Sequence, residues 1–197
     1  ACGNYIEMDG KLIYENDLSA DMVQKVIRVL SECKMPVVLE GSTDYWIDDE
    51  GFEDDPYVDY LFESLGEHAH IIRGYDGEIR INKFSADVID GTDYERVKTE
   101  FADDFLILEH VENVVEFVPK GTSKATGIKW LCNHLDIPLD ETYAIGDSVN
   151  DLEMLESVGH GIAMGNSMPP AKEIAEYVTS DISDDGVKNA LKHYGLI

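Results

Sequence analysis

Hydrophobic and polar positions follow two different patterns along the chain, and the change falls near Pro119. Before Pro119, short apolar runs are joined by turn signals such as Asp9-Gly10, which predicts hairpins and a mostly antiparallel sheet. After Pro119, helical periodicity alternates with short strands, and strands separated by helices form parallel βαβ units. The pattern therefore predicts an α/β protein with two domains, at residues 1–118 and 119–197.

In the first domain, apolar spacing predicts three helices. Ser19 is the expected N-cap of the first, which ends before Pro36; the second ends at Gly66, and the third covers about residues 94–101. The predicted strands cover residues 4–8, 11–15, 37–39, 44–47, 79–84, 105–108 and 114–118. The acidic run at residues 48–59 is expected to be a solvated face.

In the second domain, helices and strands are predicted in strict alternation. The helices lie near residues 123–135, 151–158 and 170–175 and from about residue 184, and the strands at residues 142–145, 161–164 and 177–179. With only about three strands, this sheet is expected to have open edges.

Charge narrows the range of partners. The chain carries 15 Lys and Arg against 41 Asp and Glu, for a formal net charge of −26. This balance argues against nucleic acid and anionic membranes as partners, and it means that an anionic substrate needs a cation or a local lysine to hold it. No apolar run approaches the ~18 residues of a membrane span. The three widely spaced cysteines contain no CxxC pair and are typical of free thiols in a reducing cytoplasm.

The first chemical feature is the stretch from Gly146 to Asp151, with the sequence GDSVND. It follows a predicted strand and precedes a predicted helix, and ligands bind at the carboxyl ends of strands in open parallel sheets. Asp147 and Asp151 can converge there on Mg²⁺, which typically takes one or two carboxylates plus phosphate oxygens and waters. Two structural alternatives remain at this stage: Asp147 as a turn former, and Asp151 as a favourable charge at a helix start.

The second chemical feature is Lys124, in the first turn of the helix that follows Ser123. A cation is locally unfavourable at that position, whereas a phosphate there would be attracted by both the backbone N–H groups and the ammonium. The alternative is an ordinary surface lysine. Lys120, in the same loop, is expected to be solvated.

Four blocks in order resemble the carboxyl-terminal third of Cof-type phosphatases of the haloacid dehalogenase (HAD) superfamily. They are VPKGTSKATGIKWLCNHLDI, YAIGDSVNDLEML, GHGIAMGNSMPPAK and YVTSDISDDGV. The resemblance implies that residues 119–197 form the C-terminal half of a Rossmann-like core and residues 1–118 a large α/β cap. It also implies that Lys124 is catalytic and binds phosphate, and that Asn150 lies next to the metal and the substrate. Asp147 would be a Mg²⁺ ligand, and Asp151 a nearby partner with both a metal-binding and a catalytic role.

The implied activity is Mg²⁺-dependent hydrolysis of a small phosphorylated metabolite, a sugar or cofactor phosphate, through an aspartyl-phosphate. The alternatives are a phosphomutase or sucrose-phosphate-type enzyme, and a non-catalytic protein that binds a phosphorylated ligand. The chain departs from the family pattern because no Asp-x-Asp-Gly-Thr nucleophile motif is present: residues 7–11 have Glu7 in place of the nucleophile, and residues 87–92 have one residue too many between the aspartates. We therefore expect a fragment that is inactive alone.

Overall fold

The computed structural model describes residues 2–48, 56–73, 77–110 and 113–197. It divides into two compact units, Gly3–Lys120 and Gly121–Ile197. Most of the acidic run predicted to be a solvated face lies outside the described residues. None of the helices in the described ranges combines the length and apolar character that crossing a bilayer requires.

The first unit opens with the predicted hairpin. Strands β1 and β2 pair antiparallel, and Asp9 and Gly10 turn between them with φ values of +52° and +70°. Both central residues therefore have the positive φ that a tight two-residue hairpin favours, which Gly and Asp tolerate. The elements of the unit are β1 Tyr5–Met8, β2 Lys11–Glu15, α1 Ala20–Glu32, β3 Val37–Glu40, β4 Tyr45–Ile47, α2 Pro56–Leu65, β5 Ala69–Ile71, β6 Lys83–Asp87, α3 Tyr94–Phe101, β7 Phe105–Glu109 and β8 Val114–Pro119.

Six of these strands form one sheet in the order β5-β4-β3-β6-β8-β7. Neighbouring strands are antiparallel except β4 and β5, which are parallel. Residues alternate between the two faces, so Leu39, Phe84 and Phe117 lie in the core with α1 and α3. Val38, on the opposite face, packs in a smaller cluster with α2.

The strand predicted at residues 79–84 is wrong over residues 79–82, because β6 begins at Lys83 and continues to Asp87. Ile81 and Asn82 are nearly fully buried but irregular. Their backbone groups are satisfied individually: the carbonyl of Ile81 accepts from Leu18 N, and Asn82 N donates to Glu40 O. A buried loop fixed in this way carries the apolar residues of a strand without its ladder.

The second unit contains a parallel sheet in the order β11-β10-β9. Its elements are α4 Lys124–Leu135, β9 Tyr143–Gly146, α5 Leu152–Ser157, β10 His160–Ala163, α6 Pro169–Ile174, β11 Tyr177–Val178 and α7 Gly186–His193. A short 3₁₀ turn, Val149–Asp151, precedes α5. Ala144, Leu155, Ala163 and Ala171 form the core between sheet and helices. The predicted alternation of strands and helices is confirmed, including the three-stranded parallel sheet.

Candidate phosphate and metal site

Two local structures place the candidate side chains at the carboxyl end of β9. The strand ends at Gly146, Asp147 follows directly, and the 3₁₀ turn brings Asp151 back toward the strand end. Lys124 is the first residue of α4, next to the N-cap Ser123, whose hydroxyl accepts from Thr126 N at 3.3 Å. Ser123 and Thr126 bond reciprocally in a capping box, and this fixes the start of the helix that carries Lys124.

Asp151 is the buried centre of the site. Its side chain is 5% exposed, and Lys124 Nζ lies 2.5 Å from its Oδ1. The other oxygen, Oδ2, accepts from the backbone N–H groups of Asp147 and Ser148 at 2.9 and 3.1 Å. Asp151 therefore fixes both the turn that presents Asp147 and the direction of the Lys124 side chain.

These contacts determine the charge on Asp151. Burial, the largest single influence, raises the pKa of this carboxyl. The hydrogen bonds from Lys124, Asp147 N and Ser148 N, together with the charge of the ammonium, outweigh burial and hold the pKa below its ordinary value. Asp151 is accordingly an anion at neutral pH.

Gly146 makes room for this arrangement. A Cβ atom at position 146 would lie 2.6 Å from Asp151 Cβ and 3.0 Å from its Oδ2. Real Cβ atoms do not approach other atoms so closely, and a side chain here would displace Asp151 from the strand end. The glycine of the GDSVND stretch is therefore needed for close packing against Asp151.

Asp147 differs from Asp151 in having an uncommitted carboxylate. Asp147 is exposed, and its carboxylate oxygens make no hydrogen bond or ion pair with any other described residue. No cluster of three or more His, Cys, Asp or Glu residues suited to a metal occurs in the described ranges. Mg²⁺ does not require such a cluster, because it keeps several waters and is usually held by one or two carboxylates plus phosphate oxygens. The free carboxylate of Asp147 fits that donor set.

The charged groups of the site line one open cavity of about 450 Å³. Lys124, Asp147 and Asp151 all line it, and Asn150 Oδ1 lies 3.4 Å from Lys124 Nζ. All the residues predicted for the site are thus brought together. Lys120 belongs to the other unit, where it is exposed and donates to Ala102 O at 2.7 Å.

Sequence reasoning assigned no role to Asn166, which also lines the cavity. It lies just beyond the carboxyl end of β10, the strand paired with β9, and its Oδ1 accepts from Ile182 N at 3.1 Å. The rule that polar residues after parallel strands face a common edge would have found it, as it found Asp147. The sequence does not reveal the apolar side of the cavity, formed by Met154, Met164, Ile182 and Val187 among others.

The fold and site define a class of protein, and the comparison with known families identifies it. The model of the haloacid dehalogenase-like hydrolase family matches residues 1–191. The chain therefore belongs to the haloacid dehalogenase-like hydrolases. The family and its phosphatase-named relatives place it among the phosphoric monoester hydrolases.

Three relatives illustrate the similarity. YkrA of Bacillus subtilis (strain 168), provisionally named a phosphatase, is 29% identical over 99% of this chain and 74% of its own length. The B. subtilis 5-amino-6-(5-phospho-D-ribitylamino)uracil phosphatase YitU is 40% identical over 42% of this chain and 30% of its own length. A crystal structure of a hypothetical protein from Geobacillus kaustophilus HTA426 superimposes with a TM-score of 0.82 at 26% identity, over 99% of this chain and 75% of that one.

Proposed function

We propose that the second unit provides the phosphate-holding and metal-holding part of a Mg²⁺-dependent phosphatase site for small phosphorylated metabolites. One observation carries the proposal. The partly exposed ammonium of Lys124, the free carboxylate of Asp147 and the buried carboxylate of Asp151 line one cavity at the carboxyl end of a parallel sheet. The family membership and the phosphatase names of relatives such as YitU support it.

In this assignment, Lys124 contacts the phosphoryl group. An ammonium has three N–H donors, and those not directed at Asp151 and Asn150 remain for an anion. Its place at the first position of α4 adds the backbone N–H groups and the positive end of the helix dipole. Asn150 holds the ammonium from a second side, which restricts its motion when a ligand is bound.

Asp147 is the proposed direct ligand of Mg²⁺, and Asp151 acts as a positioning residue rather than as a direct ligand. Charge explains why a cation is required: one ammonium and two carboxylates leave the site with an excess of one negative charge, and the whole chain adds a net −26. A phosphate dianion would be repelled by that field. When bound, Mg²⁺ would neutralise charge on the phosphoryl oxygens.

The resemblance places catalysis on an aspartate that forms an aspartyl-phosphate, and the sequence contains no Asp-x-Asp-Gly-Thr motif to supply it. We therefore propose that the 197 residues bind phosphate and metal but do not hydrolyse phosphoesters alone. The same observation favours the second candidate function, a non-catalytic protein that binds a phosphorylated ligand. The two candidate functions predict different results when a segment that carries the nucleophile is added. The phosphatase then hydrolyses phosphomonoesters, and the non-catalytic binding protein does not.

Calorimetric titration of the whole chain with inorganic phosphate, in the presence of Mg²⁺, tests the proposal. The wild type should bind, and Asp147→Asn should lose most of that affinity, because a neutral amide is a much poorer Mg²⁺ ligand. Asp140→Asn is the matched control, since Asp140 is an exposed aspartate in the 3₁₀ turn that precedes β9, away from the cavity. Equal phosphate affinities in the two variants would refute the assignment of Asp147 as the metal ligand. Hydrolysis of p-nitrophenyl phosphate by this chain would refute the proposal that it lacks the nucleophile.

A further inference from the structure

The candidate cavity has an apolar side that phosphate binding does not explain. Beside Lys124 and Asp147 it is lined by Met154, Met164, Ile182 and Val187. Single exposed apolar residues are common on protein surfaces and need no explanation. Here, however, the apolar groups converge on the same cavity as the charged groups. Small-molecule sites combine an apolar lining with a few placed polar groups in this way.

Ile182 is the most prominent member of this apolar side. It is 71% exposed, more than any other large hydrophobic residue in the described ranges. Val187 is 48% exposed, whereas Met164 is only 6% exposed and forms the floor. Ile182 and Val187 therefore keep apolar surface that folding leaves exposed to solvent, and a bound ligand can bury that surface.

The loop that carries Ile182 is held in place from several directions. Ile182 N donates to Asn166 Oδ1, and Gly165 N donates to Ser180 O at 3.0 Å. A Cβ at position 165 would lie 2.5 Å from Asp181 N, so the close approach of the loop depends on Gly165. Asp181 in turn accepts from Ser183 N and Oγ at 2.9 and 2.8 Å. Ile182 is thus exposed on a fixed backbone, and little conformational entropy would be lost when a ligand covers it.

We propose that Ile182 and Val187 bind an apolar or planar organic group attached to the phosphate. The substrate class would then be phosphomonoesters whose organic part has an apolar face next to the phosphoryl group, rather than phosphates of fully hydroxylated chains. This assignment rests on the proposed function, because Lys124 and the Asp147-bound cation must hold the phosphoryl end. It makes Ile182 a specificity-determining residue.

Binding of phenylphosphonate and methylphosphonate to the whole chain, with Mg²⁺ present, tests the proposal. Both probes carry a phosphonate group on carbon. At an alkaline pH at which both are dianions, they differ mainly in the size of their apolar part. Covering roughly 50–60 Å² of apolar surface corresponds to about a tenfold gain in affinity, so phenylphosphonate should bind about ten times more tightly. Ile182→Ser should reduce that ratio at least threefold, while Ile182→Leu should keep most of it.

Ile137→Ser is the matched control, because Ile137 is 42% exposed and does not line the cavity. Its ratio should equal that of the wild type. If the wild type binds the two phosphonates equally tightly, or if Ile182→Ser leaves the ratio of their affinities unchanged, the apolar assignment is wrong. The proposed function would still stand in that case, provided that methylphosphonate binds and its binding depends on Lys124. Failure of both phosphonates and of inorganic phosphate to bind would refute the proposed function itself, and this assignment with it.

Discussion

Two lysines, one in each unit, differ in the role of their ion pairs. One ion-paired ammonium is buried inside the fold, and the other remains accessible to a ligand. Lys83 lies on the inner strand β6, its side chain is 7% exposed, and Nζ contacts Glu40 and Glu116 at 2.7 Å each. Lys124 lies at a helix start, is 35% exposed, and forms an ion pair with one carboxylate, Asp151. The two ammonium groups thus differ in how far they are buried and in how many carboxylates neutralise them.

The surroundings of the carboxylates reinforce the difference. In the Lys83 cluster, Ser85 Oγ donates to Glu40 at 2.6 Å and His110 Nε2 lies 3.1 Å from Glu116. This cluster is satisfied from within and connects β3, β6 and β8. In the Lys124 site, Asp147 has no such partner among the described residues. A lysine on an inner strand with several acidic partners is therefore structural, and one beside an uncommitted carboxylate is a candidate ligand contact.

The largest effect that this comparison predicts is on stability. Lys83→Met would leave the buried Glu116 and the partly buried Glu40 without their cation. Breaking a buried ion pair from one side costs about 3–5 kcal/mol. Amide hydrogen exchange of the whole chain should accelerate in β3, β6 and β8. The control is Lys98→Met, because Lys98 pairs with Glu95 at a side-chain exposure of 35% and such surface pairs contribute about 1 kcal/mol or less. Equal protection in the two variants would contradict the structural role of Lys83.

The next effect is on binding. Lys124→Ala should weaken inorganic phosphate binding about 10–100-fold, the scale of one lost hydrogen bond from a charged donor. Lys120→Ala removes the same charge from a residue outside the cavity, and it should change the affinity by only a few-fold because solvent screens that charge. Thermal melts establish that both variants are folded. Similar losses in both would mean that Lys124 contributes only general charge.

A smaller effect appears at high pH. Burial, the largest influence, lowers the pKa of Lys83, but Glu40 and Glu116 outweigh it and raise the pKa from 10.5 to about 12. A raised lysine pKa gives stability that is fully present below pH 10.5 and is lost as the pH rises through about 12. The loss should reach about 2 kcal/mol. In Lys83→Arg, whose guanidinium stays charged, the free energy of unfolding should fall less steeply across this window; an equal slope would exclude Lys83 as the source.

Much of the fold could be predicted because its signals are local. Ser19 accepts from Met22 N as the predicted N-cap of α1, and Asp9-Gly10 forms the predicted hairpin turn. Both depend on residues within four positions of each other. The strand prediction failed over residues 79–82 because Ile79 and Ile81 pack in the core with residues that are distant in sequence, such as Leu18. Apolar patterning alone does not separate a strand from a buried loop.

The residues of the candidate site were predictable, but not their division of labour. Spacing alone predicts only that Asp147 and Asp151 can converge on one cation, and the resemblance adds that Asp147 is the Mg²⁺ ligand and Asp151 its nearby partner. The structure leaves the Asp147 carboxylate free and commits that of Asp151 to Lys124 and two backbone amides, and these contacts of Asp151 are not predicted by the sequence. Helix-dipole reasoning alone predicts that Lys124→Ala is tolerated or slightly stabilising. Because Asp151 is only 4% exposed, removal of its cation is instead expected to cost stability. Contacts across 27 residues of sequence are not visible in the sequence pattern.

The most direct test of the central claim, that metal and phosphate share one site, is the thermodynamic coupling between them. Saturating Mg²⁺ should lower the Kd for inorganic phosphate by about tenfold or more, and saturating phosphate must lower the Kd for Mg²⁺ by the same factor. In Asp147→Asn, this coupling should disappear. If the wild-type chain binds phosphate with the same Kd with and without Mg²⁺, metal and phosphate do not meet at Asp147 and Lys124, and the proposed site is wrong.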